Sequence, residues 1–490
     1  MTMSNTSVSA TLLDDAATLF IDGEWCTSEQ TFKRFEPYGT DRLSGTFASA
    51  TPAHVRRAYD AAEKAQPGWA ATPAVQRANV LRRAADLLEA RVETAARRLT
   101  ADMGKAIRDA RGEVLRSAAI LRYYAGDLLQ PSGETYPSAD PETVLLTVEQ
   151  PLGIVCAITP WNFPFAIPTW KIAPAVAFGN SVVWKPAEVA SGSAVLLTEI
   201  FAEAGLPTGV LNLITGKGRS LSGSLTGDHR LAALTFTGSN GVGVRLREAV
   251  ADRNVKVQLE LGGKNPAIVL ADAELEDAAV QVVRGAMLAA GQRCTATSRV
   301  YVQRPVATEF RELLLAQVNR LVVGNPYDEA TDIGPISSPE QRDTVVEYLR
   351  LAHEEGADIL VGGKADGEGC FLEPTVLTGV APSSRLVREE IFGPVLVLTE
   401  VEDFDEALAA ANDTVFGLSA SLFTSNISKA MQFVRRINSG LVHVNRETAS
   451  VEPHVPFGGV KASSSMNREQ GKAARTFFTT TKTVYLRSPN

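Results

Sequence analysis

"GIVCAITPWNFPFAIPTWKIAPAVAFGNSVVWKP", residues 153–186, changes the rhythm of the chain. "GIVCAI" is a short apolar run with the length of a strand buried on both faces. "TPWNFP" is a turn, "IPTWKIAPAVAFG" reads as an apolar helix, and "SVVWKP" is a second buried strand. Strand, helix and strand in so short a span predict a parallel βαβ unit. Toward the C-terminus follow a helix over 189–204, strands "VLNLI" and "LAALTF", and a Gly-rich turn opening a helix at 241–251. The alternation then repeats: "PAIVL", a helix over 274–290, "RVYVQ", a helix over 306–320, "VLVLTEV", a helix over 404–412, "SASLFT", a helix over 427–437 and "LVHVN". These elements predict an α/β chain with a parallel, doubly wound sheet and two halves joined near residue 260.

Toward the N-terminus, "FIDGEW" is a strand and turn. Thr51 and Pro52 then start a helix whose Val55, Ala58, Tyr59 and Ala62 share one face. Residues 74–101 and 105–129 read as two more helices. "TVLLTVEQ" (143–150) and "KTVYLR" (482–487) alternate like exposed antiparallel strands and predict an interface.

A chain of 490 residues exceeds one hydrophobic core, so two or three domains are expected. Its net charge of −8 argues against nucleic acid as the main partner. No apolar run is long enough to span a membrane as a helix. The start, "MTMSNTSVSATLLDDAATLF", lacks a basic region before an apolar one and reads as a polar tail rather than a leader. Cys26, Cys156, Cys294 and Cys370 are scattered without CxxC spacing, which suits a reducing cytoplasm. The five histidines form no HxxxH or HxH pair, so no dedicated transition-metal site is expected.

Four short stretches carry possible chemistry, and each has two readings. Cys294 in "GQRCTATSR" is either a small buried hydrophobe or a nucleophile. "LTFTGSNGVG" (234–243) departs from G-x-G-x-x-G; it is an ordinary turn, or a helix N-terminus whose free N–H groups suit a phosphate. Lys185 and Glu188 of "WKPAE" follow a predicted parallel strand, as a solvated pair or as contacts to a ribose. Glu260 of "VQLELGGKNP" is a solvated turn residue, or a desolvated carboxylate with a pKa raised toward that of a neutral-pH base.

Taken in order, "TPWNFP", "KPAE", "FTGS", "LELGGKNP", "GQRC" and "EEIFGP" resemble the NAD(P)-dependent aldehyde dehydrogenase superfamily, over almost the whole chain. The resemblance implies a Rossmann-like cofactor domain (1–130 and 151–260), an α/β catalytic domain (261–455) and a small bridging β-sheet (131–150 and 470–490). It implies that Cys294 attacks the aldehyde, that the Asn162 amide stabilises the oxyanion, and that Glu260 activates water. Lys185 and Glu188 match the adenosine-ribose contacts; a carboxylate at Glu188 favours NAD over NADP. Gly238 and Ser239 match the pyrophosphate turn, Glu390 the nicotinamide-ribose contact, with Phe392 beside it. Trp161 is either a wall of the cofactor or substrate channel or a core residue. The resemblance further implies a homodimer or homotetramer acting on a small aldehyde.

The usual ending "PFGGxKxSGxGRE" appears as "PFGGVKASSSMNREQG" (456–471), with Ser464 in place of a glycine. Trp170 and Leu288 stand where some succinate-semialdehyde dehydrogenases carry an arginine. "GQRCTATSR" and the "SSS…REQG" tail are similar to 2,5-dioxopentanoate (α-ketoglutarate semialdehyde) dehydrogenases. In that reading Arg293 lowers the thiol pKa or anchors a remote substrate anion; the other reading points it at solvent or a partner subunit. Succinate semialdehyde, glyceraldehyde 3-phosphate in a non-phosphorylating enzyme, or a broad range of aldehydes are the other substrate readings. A CoA-acylating relative is disfavoured by Glu260, and a catalytically silent one by the joint presence of Cys294, Glu260 and Asn162.

Overall fold

The computed structural model describes residues 17–365 and 369–489, so nearly all of the expected polar tail lies outside the described residues. Five strands run parallel in the first of two seven-stranded sheets. In spatial order they are Lys256–Glu260, Leu231–Thr237, Ile154–Thr159, Ser181–Pro186 and Leu211–Leu213. From Ile154–Thr159 the chain moves outward in one direction, then returns to build on the other side of the same strand. Such a reversal leaves a crevice beyond the carboxyl ends of the two strands that flank it. Here those ends are residues 159–162 and 237–239.

The second sheet has the order Asp358–Val361, Thr375–Thr378, Val395–Val401, Thr297–Gln303, Asn265–Val269, Ser419–Phe423 and Leu441–Val444. All of its pairings are parallel except the first. Helices cover the faces of both sheets, which is why Ser181–Pro186 and Asn265–Val269 are buried at every position and read as unbroken apolar runs. A third sheet pairs Thr479–Arg487 with Thr143–Pro151, antiparallel from Thr479↔Pro151 to Arg487↔Thr143, with Thr135–Tyr136 outside them. Val144, Tyr485 and Leu486 leave it an exposed apolar fringe.

Several expectations need correcting. The first sheet is mixed, because the hairpin Leu19–Ile21 and Glu24–Cys26 joins its edge antiparallel to Leu211–Leu213. Asp22 and Gly23, both at positive φ, make the tight turn that such a hairpin requires. The helix read over 74–101 breaks at Arg91 into Ala74–Ala90 and Val92–Met103. No glycine or proline marks that break; Arg91 leaves helical geometry there and its guanidinium pairs with Glu203. The helix read over 274–290 stops at Met287, because Ala289 and Ala290 are left-handed. Helix Gly218–Gly227 went unread because its glycines and serines have low helix propensity; buried Leu221 and Leu225 hold it down.

Candidate active site

Cys294 lies where two cavities meet. One, of about 260 Å³, opens at the crevice of the first sheet and is lined by Trp161, Asn162, Gly238, Ser239, Glu390 and Phe392 among others. The other, of about 320 Å³, is lined by Lys105, Arg116, Trp170, Arg293, Arg446 and Phe457 among others. A thiol at that junction can meet one reactant from each side.

The loop carrying Cys294 is strained on approach and pinned on exit. Ala289 and Ala290 hold φ near 55°, which is costly for a residue with a Cβ. Gly291 follows at φ 67°, where a side chain would strike the Gly393 carbonyl. Beyond the thiol, the Asn265 amide donates to the carbonyls of Cys294 (2.9 Å) and Ala296 (2.8 Å), while its oxygen accepts from the Ser419 N–H (3.0 Å). Burial pushes the Cys294 thiol up to about 12, and the carboxyls of Glu390, Glu260 and Glu469 push the same way. Arg293, the residue before the thiol, is not among the groups that chiefly set this shift. Its guanidinium lies 3.8 Å from Asp109 and lines the larger cavity.

Asn162 is buried, and its amide donates to the Gln292 carbonyl at 3.0 Å, two residues before Cys294. Its own carbonyl accepts from Lys105 Nζ at 2.9 Å. Lys105 is paired with Glu113, both buried, and lies 3.8 Å over the Phe163 ring. The other Glu113 oxygen accepts from the N–H groups of Phe165 (2.9 Å) and Ala166 (3.1 Å). Helix Ala166–Ala177 has no side-chain cap of its own, so a carboxylate from another helix satisfies its first donors.

Glu260 ends its strand buried, and it lines neither cavity. One carboxyl oxygen takes a hydrogen bond from the Ser464 hydroxyl. Burial first, and Glu469 second, hold its pKa well above the usual carboxylate range, against the pull of Ser464, Lys171 and Arg468. Lys171 is ion-paired with Glu469 and donates to the Thr235 hydroxyl at 2.9 Å.

On the opposite flank, Lys185 is the penultimate residue of strand Ser181–Pro186 and Glu188 opens the short turn after it. Neither lines the 260 Å³ cavity; they sit on the neighbouring strand's edge of the crevice. Burial lowers Lys185 to about 8, and Glu188 raises it in part. Gly238 has no room for a side chain, since a Cβ would lie 2.6 Å from the Phe236 ring. Ser239 stands just before helix Asn240–Glu248, whose first N–H groups face the crevice end.

Glu390 is held by the Gly263 N–H at 3.0 Å, and burial raises it to about 7. Phe392 sits at φ 58° with its ring edge-on to Trp161 at 5.5 Å. Trp161 thus lines the cavity with one part of its surface and packs against the core with another. Trp170 is buried against Phe457 and lines the larger cavity. The donors and the side-chain-free approach at Gly238 fit a dinucleotide: buried amine, free helix N–H groups and an acidic hydroxyl acceptor in one crevice.

The structure also brings in residues that motif reading did not single out as functional. Asn265 and Glu469 stood inside quoted motifs, where their polarity in apolar surroundings was a usable signal. Lys105, Glu113 and Arg116 occupy a helical stretch with no motif, and only the fold delivers them to the site.

The fold and site define a two-sheet α/β enzyme built around a half-buried cysteine at the mouth of a dinucleotide-type crevice. The family model of the aldehyde dehydrogenases matches residues 25–484, and the chain belongs to that family. It is 43% identical over 475 residues to the alpha-ketoglutaric semialdehyde dehydrogenase of Bacillus subtilis (strain 168), covering 96% of this chain and 97% of that protein. It is 40% identical over 462 residues to the 2,5-dioxopentanoate dehydrogenase of Saccharolobus solfataricus, covering 94% and 96%. Among solved structures, an NAD-dependent aldehyde dehydrogenase from Sinorhizobium meliloti superposes with a TM-score of 0.94 at 36% identity, covering 98% of this chain and 96% of that one. Betaine aldehyde dehydrogenase from Staphylococcus aureus, in complex with NAD+, gives 0.93 at 34% identity, covering 97% and 95%.

Proposed function

We propose that this protein oxidises 2,5-dioxopentanoate to 2-oxoglutarate with NAD, through a thioester on Cys294. The observation that carries the reading is the position of Cys294, open to a dinucleotide-type crevice on one side and, on the other, to a cavity whose lining mixes Arg116, Arg293 and Arg446 with carboxylates such as Asp109 and Glu447. The relatives named for the same semialdehyde support the choice of substrate.

Bound in the crevice, NAD supplies the hydride acceptor. Lys185 and Glu188 hold its adenosine ribose, Gly238 and Ser239 its pyrophosphate, and Glu390 its nicotinamide ribose, with Trp161 and Phe392 as walls. Glu188 would repel a 2′-phosphate, which favours NAD over NADP. Cys294 gives its thiol proton to water and attacks the aldehyde carbon as the thiolate, and the second Asn162 amide hydrogen, with the Cys294 N–H, receives the oxyanion. A sulfur-bound tetrahedral carbon gives up hydride and leaves a thioester, a good acyl donor. Glu260 takes the proton of the attacking water, the role a carboxyl raised by burial suits near neutral pH.

The substrate carboxylate would meet Arg116 and Arg293, with Trp170 packed beside them. Arg116 has no hydrogen-bond or ion-pair partner among the described residues, and burial first and Arg293 second lower its pKa against the pull of Glu113, Glu452 and Glu447. An anion between the two guanidiniums relieves that repulsion. The first sheet with its helices would bind cofactor and the second carry the thiol, while the apolar fringe of the third sheet would pair subunits of a cytoplasmic homodimer or homotetramer.

Initial rates of NADH formation test the reading with 2,5-dioxopentanoate, succinate semialdehyde, glyceraldehyde 3-phosphate and pentanal. We expect 2,5-dioxopentanoate to exceed pentanal at least a hundredfold in kcat/KM, about 2.7 kcal/mol of anion recognition. Equal rates with pentanal would make it a broad-range aldehyde dehydrogenase instead.

A further inference from the structure

We propose that Ser464 is a positioning residue that latches the Glu260 carboxyl away from both cavities, and that acyl-enzyme hydrolysis requires this latch to open. The inference rests on the reading of Glu260 as the base.

The carboxyl lies in a cradle made by two neighbours. Gly458 sits at φ 147°, and a Cβ there would come within 2.7 Å of Glu260 Oε1, so only glycine admits the carboxyl. Ser464 Oγ accepts from the Gly459 N–H at 2.6 Å and spends its single hydrogen on Glu260 Oε2. The hydroxyl cannot wander, because residues 463–465 run alongside the end of the Glu260 strand. Leu261 N–H donates to the Ser463 carbonyl (2.7 Å), and Ser465 N–H to that of Leu259 (2.9 Å). A glycine at this position, as in the usual family ending, would leave Glu260 Oε2 without that donor.

The latched carboxyl is incompletely satisfied. Glu260 Oε1 is buried without a partner, so the cradle holds a neutral carboxyl better than an ionised one. The titratable and charged groups facing it are Glu469 and Arg468 on the C-terminal segment, Lys171 on helix Ala166–Ala177, and the neutral Cys294 thiol across the site. Ionisation therefore favours release toward the two cavities. Released, Glu260 takes a proton from water, and the water oxygen bonds to the thioester carbonyl carbon. The carbon–sulfur bond then breaks, Cys294 keeps the electron pair as a thiolate, and the product leaves as the acid. The protonated carboxyl returns to Ser464.

The test uses the full-length enzyme acylated with 4-nitrophenyl acetate, following decay of acyl-Cys294 by mass spectrometry from pH 5.5 to about 10. Ser464→Ala should deacylate about threefold faster at the alkaline plateau, with the acidic midpoint moved up because a donor to the carboxylate is lost. Ser464→Thr, which keeps the hydroxyl, should follow the parent enzyme. A Ser464→Ala profile that superimposes on the parent overturns the latch, as does Ser464→Thr behaving like Ser464→Ala. Glu260→Gln separates the two levels of the argument. If it deacylates at the parent rate, or if Cys294 is not acylated at all, the assignment of the base and nucleophile fails and the latch falls with it. If Glu260→Gln stalls while Ser464→Ala is unchanged, the base stands and the latch alone is wrong.

Discussion

The two cavities that meet at Cys294 are built in different ways. The crevice side is made largely of backbone: strand ends, a helix N-terminus, and glycines at 238 and 262 where a Cβ would collide with Phe236 or Glu390. The other side is made of long charged side chains, with Lys105, Asp109, Glu113 and Arg116 from around one helix and Arg293, Arg446, Glu447 and Glu452 from two loops. A backbone cradle accepts one kind of ligand and changes little with substitution. A ring of side chains can be re-specified one residue at a time, so substrate choice belongs on that side.

Substitutions can break this contrast. The largest effect should come from Asn162→Ala, at the junction itself. Removing an oxyanion donor should lower kcat about 10²–10³-fold for every aldehyde, some 3–4 kcal/mol, with KM for NAD unchanged. Stopped-flow rates with 2,5-dioxopentanoate and pentanal check this, and a loss confined to one aldehyde would move Asn162 from chemistry to substrate choice. Arg116→Gln should come next and be selective. It should reduce kcat/KM about tenfold to a hundredfold for 2,5-dioxopentanoate by removing one charge-assisted contact, and leave pentanal unchanged. Equal losses on both substrates would mean that Arg116 supports the fold of the cavity rather than reading the anion.

The same contrast decides what the sequence made legible. Buried strands such as "SVVWKP" show as continuous apolar runs because helices cover both faces of their sheet. The crevice residues sit at strand ends, where an α/β pattern already directs attention. Arg116 gave no such signal. It lies on a helix rich in Ala, Leu and Arg, where one cation looks like its neighbours until tertiary packing points it inward. The departure at Ser464 was visible in the tail, but its meaning depends on a carboxyl 204 residues earlier in the chain. The left-handed Ala289 and Ala290 went unread because alanine normally extends a helix, and only packing around Cys294 holds them there.

The smallest effect should appear on the crevice side, as a pH dependence. Burial brings Lys185 down to about 8, so its amine is charged below that pH and neutral above it. An ammonium gives the ribose hydroxyls a charge-assisted hydrogen bond, and a neutral amine gives a weaker one. Dinucleotide affinity should therefore fall about threefold as pH rises from 7 to about 9. Glu188 raises the Lys185 pKa, so Glu188→Gln should move the midpoint of that fall to lower pH, while Lys185→Met should flatten the profile. Direct titration of the enzyme with NAD across this range, without aldehyde, separates binding from catalysis. A flat profile in the parent enzyme would take Lys185 out of contact with the dinucleotide. Recognition would then rest on the glycine turn, the helix N-terminus and Glu390, leaving the crevice still more a product of backbone than of side chains.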